Sequence, residues 1–220
     1  LPESAPPEKE PGSRIRVFLW VEFFAIYIVG PLLILHWRRP GLLFLALWVG
    51  GSALHHASKA AWTSPIGGRP EKHAVTSLFA RFAAGGALLT LVTRFAYPHL
   101  FLSLPREHPL FWLVIMGLYP VLSVWPQEVI YRRFLFHRYR ALFGEAGLIA
   151  ASALVFGFAH IIFLNGIAVA LTIAGGAMFA QNYARNRSLA LVCLEHSLYG
   201  CLVFTIGLGR FFYTGAAWHH

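Results

Sequence analysis

Long apolar runs alternate with short polar turns along this chain. Seven runs stand out, at roughly 17–35, 41–58, 74–93, 110–125 (continuing as a helix to about 141), 147–164, 166–184 and 188–208. Their lengths are close to the roughly 20 residues that a helix needs to cross a bilayer core. The turns are brief: "HWRRPG" at 36–41, "FGEAG" at 143–147, "NG" at 165–166 and "RNRS" at 185–188. "TSPIGGRPEK" at 63–72 is longer, rich in Gly and Pro, and reads as an exposed loop. The pattern predicts an all-α, polytopic transmembrane bundle of about seven to eight helices. No internal repeat and no second domain is visible. The expected division is a disordered, Pro-rich polar segment at 1–16, one transmembrane helical domain at 17–210 and a short tail at 211–220.

Composition sharpens this picture. The chain is 57% hydrophobic and 12% charged, against about 25% charged in an ordinary soluble domain. Its 19 Phe and 7 Trp exceed what one small core hides, so an apolar soluble bundle is set aside. Net charge is +9, but the bases cluster between apolar runs, as the positive-inside rule expects. No basic stripe with interleaved aromatics lies on a soluble segment, which excludes nucleic acid as a partner. Placing "RNR" at 185–187 in the cytoplasm puts the N terminus inside and the C terminus outside. Localisation as an integral membrane protein is expected. Cys193 and Cys201 fall in one apolar run, and read as packing residues rather than a disulfide or zinc motif.

Ionisable residues at bilayer depth are costly and usually functional. Glu128, His160 and His196 lie on separate apolar segments, about 12–20 Å from the cytoplasmic side at ~1.5 Å per residue. Topology therefore predicts that an acid and two imidazoles converge near mid-membrane. A glutamate kept from bulk water serves as general base and acid, and imidazoles orient a water or stabilise an oxyanion. Pro126 suits a first helical turn, so Gln127 and Glu128 are expected at a local helix start, where free N–H groups favour negative charge. Arg132 lies four residues after Glu128, on the same face, and can pair with it. Arg133, His137, Arg138 and Arg140 read as an interfacial basic anchor. Glu195 is read equally as a partner standing behind His196 and as an unrelated polar contact.

Three short motifs carry a resemblance. "QEVIYR" runs from Gln127 to Arg132, "FGFAH" from Phe156 to His160, and "HSLYG" from His196 to Gly200. In order and placement they resemble the CAAX-protease and bacteriocin-processing family of intramembrane endopeptidases, also called the Abi family. That family carries Glu-Glu-x-x-x-Arg, Phe-x-x-x-His and His-x-x-x-Asn/Asp on successive membrane helices. The resemblance covers roughly residues 110–208. It implies an all-α transmembrane helical bundle with an intramembrane polar cavity, and hydrolysis of a peptide bond near the membrane-embedded or lipidated C terminus of a protein substrate, as in CAAX-protease-like or myxosortase-like enzymes. The implied partners are such a protein or peptide and membrane lipids, and the implied location is a bacterial inner or plasma membrane.

Two positions depart from the family pattern. Gln127 replaces the first glutamate. Either Glu128 is the base and Gln127 a hydrogen-bond donor to an oxyanion, or Gln127 marks an inactivating change. Gly200 replaces Asn or Asp, and Glu195, Asn165 and Tyr199 are the candidates to supply the missing polar group. The family has been described both as metalloproteases and as glutamate-dependent proteases. No cofactor is expected here, because Glu128 cannot easily be both ligand and base. Were a divalent metal such as zinc used, His160, His196 and Glu128 would be its ligands. Two rival readings stay open: an inactive relative acting as a membrane binding or immunity protein, and a small proton-coupled transporter.

Overall fold

The computed structural model describes residues 12–59 and 72–213. The expected disordered stretch lies outside the described residues as far as residue 11. So do most of the 63–72 loop and the tail from residue 214. Within the described residues the chain is all helix and bend, with no strand. Helix α1 spans Ser13–Trp37 and is interrupted by a π turn at Ala25–Val29. Next come α2 (Pro40–Lys59), α3 (Ala74–Ala96) and the short α4 (Ser103–Glu107). Helix α5 (Pro109–Arg138) carries two π turns, Pro120–Val124 and Val129–Phe134. Helix α6 (Glu145–Phe163) ends in a 3-10 turn, and α7 (Gly166–Asn186) and α8 (Leu189–Ile206) complete the bundle.

The seven apolar runs thus each become a helix, and α4 is the eighth. Helix α1 begins earlier than expected: Ser13–Arg16 form its first turn, with the amides of Ile15 and Arg16 donating to Gly12 O. Ser, Ile and Arg all tolerate helix, so the helix outruns its apolar stretch. Among the described residues six helices are long and apolar enough to cross a membrane. Their outer faces remain apolar: Phe95 and Leu110 are each 78% exposed, and Leu88 and Leu154 are also exposed. Side chains of this kind face lipid, and the protein is an integral membrane protein.

Helix α5 is the hub of the bundle. Pro126 has no N–H, so the carbonyl of Leu122 loses its helical donor. Trp48 of α2 supplies one instead, donating from Nε1 to Leu122 O at 3.1 Å. The bond requires α2 to approach closely, and Gly51 allows it: a Cβ there would lie 3.0 Å from Pro126 Cβ and 3.2 Å from its Cα. The second π turn similarly turns carbonyls toward neighbours. Tyr27 of α1 donates to Ile130 O, and Ser152 of α6 to Tyr131 O, both at 2.8 Å. Around these bonds packs the aromatic core, including Phe23, Tyr27, Tyr131, Phe134, Tyr139 and Phe156. Gly51→Val is expected to drive α2 off α5 and destabilise the bundle by about 1–3 kcal/mol, the usual cost of overpacking. A melting temperature in detergent equal to wild type would refute the contact.

The basic anchor at the end of α5 proves partly internal. Arg138 closes bidentately on Glu22 of α1, at 2.8 and 2.9 Å, and Tyr139 adds a 3.0 Å bond to the same carboxylate. A planar guanidinium matches a carboxylate in this way, so Arg138 ties α1 to α5 rather than only facing headgroups. Burial, followed by the nearby Glu22 charge, holds the Tyr139 phenol well above its usual range.

Candidate active site

Glu128 sits on α5 between the two π turns and is fully buried. The expected helix start at Pro126 is not formed. Val124 and Trp125 keep helical angles, and the Trp125 amide donates to Pro120 O in the wider π pattern. The helix therefore runs straight through the proline, and no free N-terminal amides face the carboxylate. Side chains satisfy it instead. His196 Nδ1 of α8 donates to Glu128 Oε1 at 2.7 Å, and Arg132 NH1 lies 3.3 Å from the same oxygen. Glu128 Oε2 is buried with no hydrogen-bond partner among the described residues.

Arg132 is fully buried as well. NH2 donates to Gly176 O of α7 at 3.2 Å, and the guanidinium lies 4.3 Å from the Phe156 ring centroid and 5.5 Å from that of Phe179. Gly176 also lets α7 lie close against α6: a Cβ there would meet Phe156 and the Ala153 backbone at 3.1–3.3 Å. The charge is thus held by one carboxylate, one carbonyl and two aromatic faces.

His196 is pinned at both nitrogens. Nδ1 meets Glu128, and Nε2 meets the hydroxyl of Tyr119 at 3.1 Å. Its ring stacks on Phe179 at 4.7 Å and stands edge-on to Phe156 at 5.6 Å. His160, at the start of the 3-10 turn of α6, is half-buried. Its Nδ1 lies 2.7 Å from Phe156 O. A carbonyl only accepts, so Nδ1 carries the hydrogen and Nε2 presents a lone pair. The His160 ring lies 4.7 Å from that of Phe156. The structure thus joins Glu128, Arg132 and His196 directly, while His160 meets them through the Phe156 ring, hydrogen-bonded to neither Glu128 nor His196.

The other candidates go elsewhere. The Gln127 amide donates to Ser123 Oγ at 2.7 Å, and its Oε1 is buried without a partner among the described residues. Glu195 forms a separate buried cluster: it accepts from Asn182 Nδ2 at 2.7 Å and pairs with Arg81 of α3 at 3.0 Å. Asn165 caps α7, accepting from the amides of Ile167 and Ala168. Tyr199 donates to Arg81 O at 2.9 Å. None of Glu195, Asn165 and Tyr199 hydrogen-bonds His196. That place belongs to Tyr119, which the motif reading did not single out. The one signal for it was Gly200, whose missing side chain leaves room beside His196.

The set named for the case of a metal, His160, His196 and Glu128, does not fit one as arranged. Among the described residues no three His, Cys, Asp or Glu side chains gather to hold an ion. Both His196 nitrogens are engaged, Nδ1 by Glu128 and Nε2 by Tyr119. Cys193 and Cys201 are unbridged.

These features define a class: a membrane-embedded helical bundle with a buried carboxylate–imidazole pair. Residues 107–202, less than half of the chain, match the family model of type II CAAX prenyl endopeptidases, Rce1-like. The match agrees with the CAAX-protease resemblance read from the motifs. No curated protein and no solved structure matches the chain.

Proposed function

We propose that this protein is an intramembrane endopeptidase that hydrolyses a peptide bond near the membrane-embedded or lipidated C terminus of a protein substrate, in the plasma membrane. The observation that carries this reading is the Glu128 carboxylate. One oxygen is fixed by His196 and Arg132, and the other is buried without a donor among the described residues. A buried carboxylate oxygen demands a hydrogen-bond donor, and a water meets that demand.

Glu128 Oε2 takes a proton from this water as its oxygen attacks the scissile carbonyl carbon. His160 orients the water through the Nε2 lone pair. As negative charge passes from Glu128 to the carbonyl oxygen, the dry Arg132 charge stays close to both. The C–N bond then breaks, and the proton held by Glu128 goes to the leaving amine. His196 keeps the carboxylate aimed throughout. No step passes through a metal.

The test uses purified protein in proteoliposomes with a peptide bearing a farnesylated C terminus, its unlipidated form, and a peptide ending in an apolar transmembrane tail. Mass spectrometry reads cleavage. Cleavage of a lipidated or tailed peptide, with the soluble control spared, is expected. Absence of cleavage of all three, or solute uptake without cleavage, would overturn the reading. Activity is expected to persist in EDTA and phenanthroline. Loss of activity that zinc restores would place a metal in the mechanism.

A further inference from the structure

We infer that Tyr119 is a positioning residue of the hydrolytic site, holding His196 from α5 through the space that Gly200 leaves open on α8. The inference rests on the protease reading above. A carboxylate only accepts, so the 2.7 Å bond to Glu128 puts the ring hydrogen of His196 on Nδ1. Nε2 is then the acceptor, and the Tyr119 hydroxyl donates to it at 3.1 Å. Carboxylate and phenol together select one tautomer and fix the ring plane, the usual role of the group behind a working imidazole.

Geometry explains why Tyr119 can reach. Residue 200 lies one turn beyond His196 on the same face of α8. A Cβ at Gly200 would collide with Tyr119 Cε1, Cζ and the hydroxyl. The tyrosine ring therefore fills the volume that a side chain at 200 would take, and it is braced edge-on by Phe204 at 5.3 Å. On α5, Tyr119 and Glu128 are nine residues apart. At about 100° per residue a regular helix would set them on opposite sides, about 180° apart. The intervening π turn, Pro120–Val124, takes in one extra residue and brings the offset to about 80°. Both side chains then face α8, and both meet His196. The π turn, Tyr119 and Gly200 work as one device.

Tyr119→Phe removes only the hydroxyl. It is expected to lower kcat about tenfold with KM unchanged, the scale of one hydrogen bond. In protein labelled with ¹⁵N-histidine, the His196 signals, assigned against His196→Gln, should move from a single Nδ1–H tautomer toward a mixture. Tyr119→Ala and Gly200→Asn should each impair cleavage, the first by losing the hydroxyl and the second by colliding with the ring. Combined, they put an amide where the phenol stood, and activity should recover beyond either single variant. Tyr119→Phe with wild-type kcat and unmoved His196 nitrogen signals would overturn the inference. If wild-type protein cleaves nothing, the protease reading fails, and the nitrogen signals still decide whether Tyr119 holds the ring.

Discussion

Glu128→Gln is expected to remove cleavage, a fall of about 10²–10⁴-fold or more, the range contributed by a positioned general base. Glutamine keeps the shape but cannot accept the proton of the attacking water. It also disturbs what surrounds it. Glu128 Oε1 serves His196 Nδ1 at 2.7 Å and Arg132 NH1 at 3.3 Å. A neutral amide oxygen can still face these donors, but it no longer balances the Arg132 charge. Leaving a buried charge without its partner costs about 3–5 kcal/mol, so a lower melting temperature in detergent should accompany the lost activity. The two effects separate by measuring substrate-peptide binding below the new melting temperature. Binding near the wild-type value without cleavage identifies a chemical role. Cleavage at the wild-type rate would remove Glu128 from the mechanism.

Much of the fold was legible because bilayer-length apolar runs leave few alternatives. A backbone in lipid must satisfy its own hydrogen bonds, so seven apolar runs mean seven helices. What the runs do not encode is where a helix widens. The two π turns of α5 arise from Pro120 and Pro126 together with donors on other helices: Trp48, Tyr27 and Ser152. Those donors lie 74, 103 and 21 residues away in sequence. A local reading of Pro126 as a helix start was reasonable and incomplete, because the compensation is tertiary. Glu22 was missed for the same reason: its meaning comes from Arg138 at the far end of another helix.

The candidate site divides along similar lines. Glu128, Arg132 and His196 were legible because a carboxylate, a guanidinium and an imidazole at membrane depth need partners, and their depths matched. Their mutual contacts follow from that need. His160 was legible on the same ground, but its tautomer was not, because the bond to Phe156 O that puts the hydrogen on Nδ1 depends on the turn in which α6 ends. Glu195 and Asn182 show that a buried polar group can be satisfied in a second cluster, so depth alone does not assign a residue to the site. Tyr119 was hidden because a tyrosine in an apolar run normally signals packing, and only Gly200 hinted at the space it fills.

Gln127 is the remaining departure from the family pattern, and Gln127→Glu is expected to lower cleavage. The Gln127 amide now donates to Ser123 Oγ at 2.7 Å, while its oxygen is buried without a partner among the described residues. A carboxylate at 127 can accept from Ser123 instead, so local packing should survive. It also places a second acid next to Glu128, whose cation and imidazole are already in use. Two neighbouring carboxylates with one counter-charge between them are coupled, each disfavouring the other's charge. The pH–rate profile should therefore change shape as well as height, and the base should be less available at neutral pH. The decisive comparison is wild type against Gln127→Glu on one C-terminally tailed peptide across pH. Reduced cleavage with a reshaped profile keeps the base at Glu128. A strong gain would mean that the working carboxylate belongs at 127, that Gln127 silences this chain, and that Glu128 is its neighbour and the holder of His196.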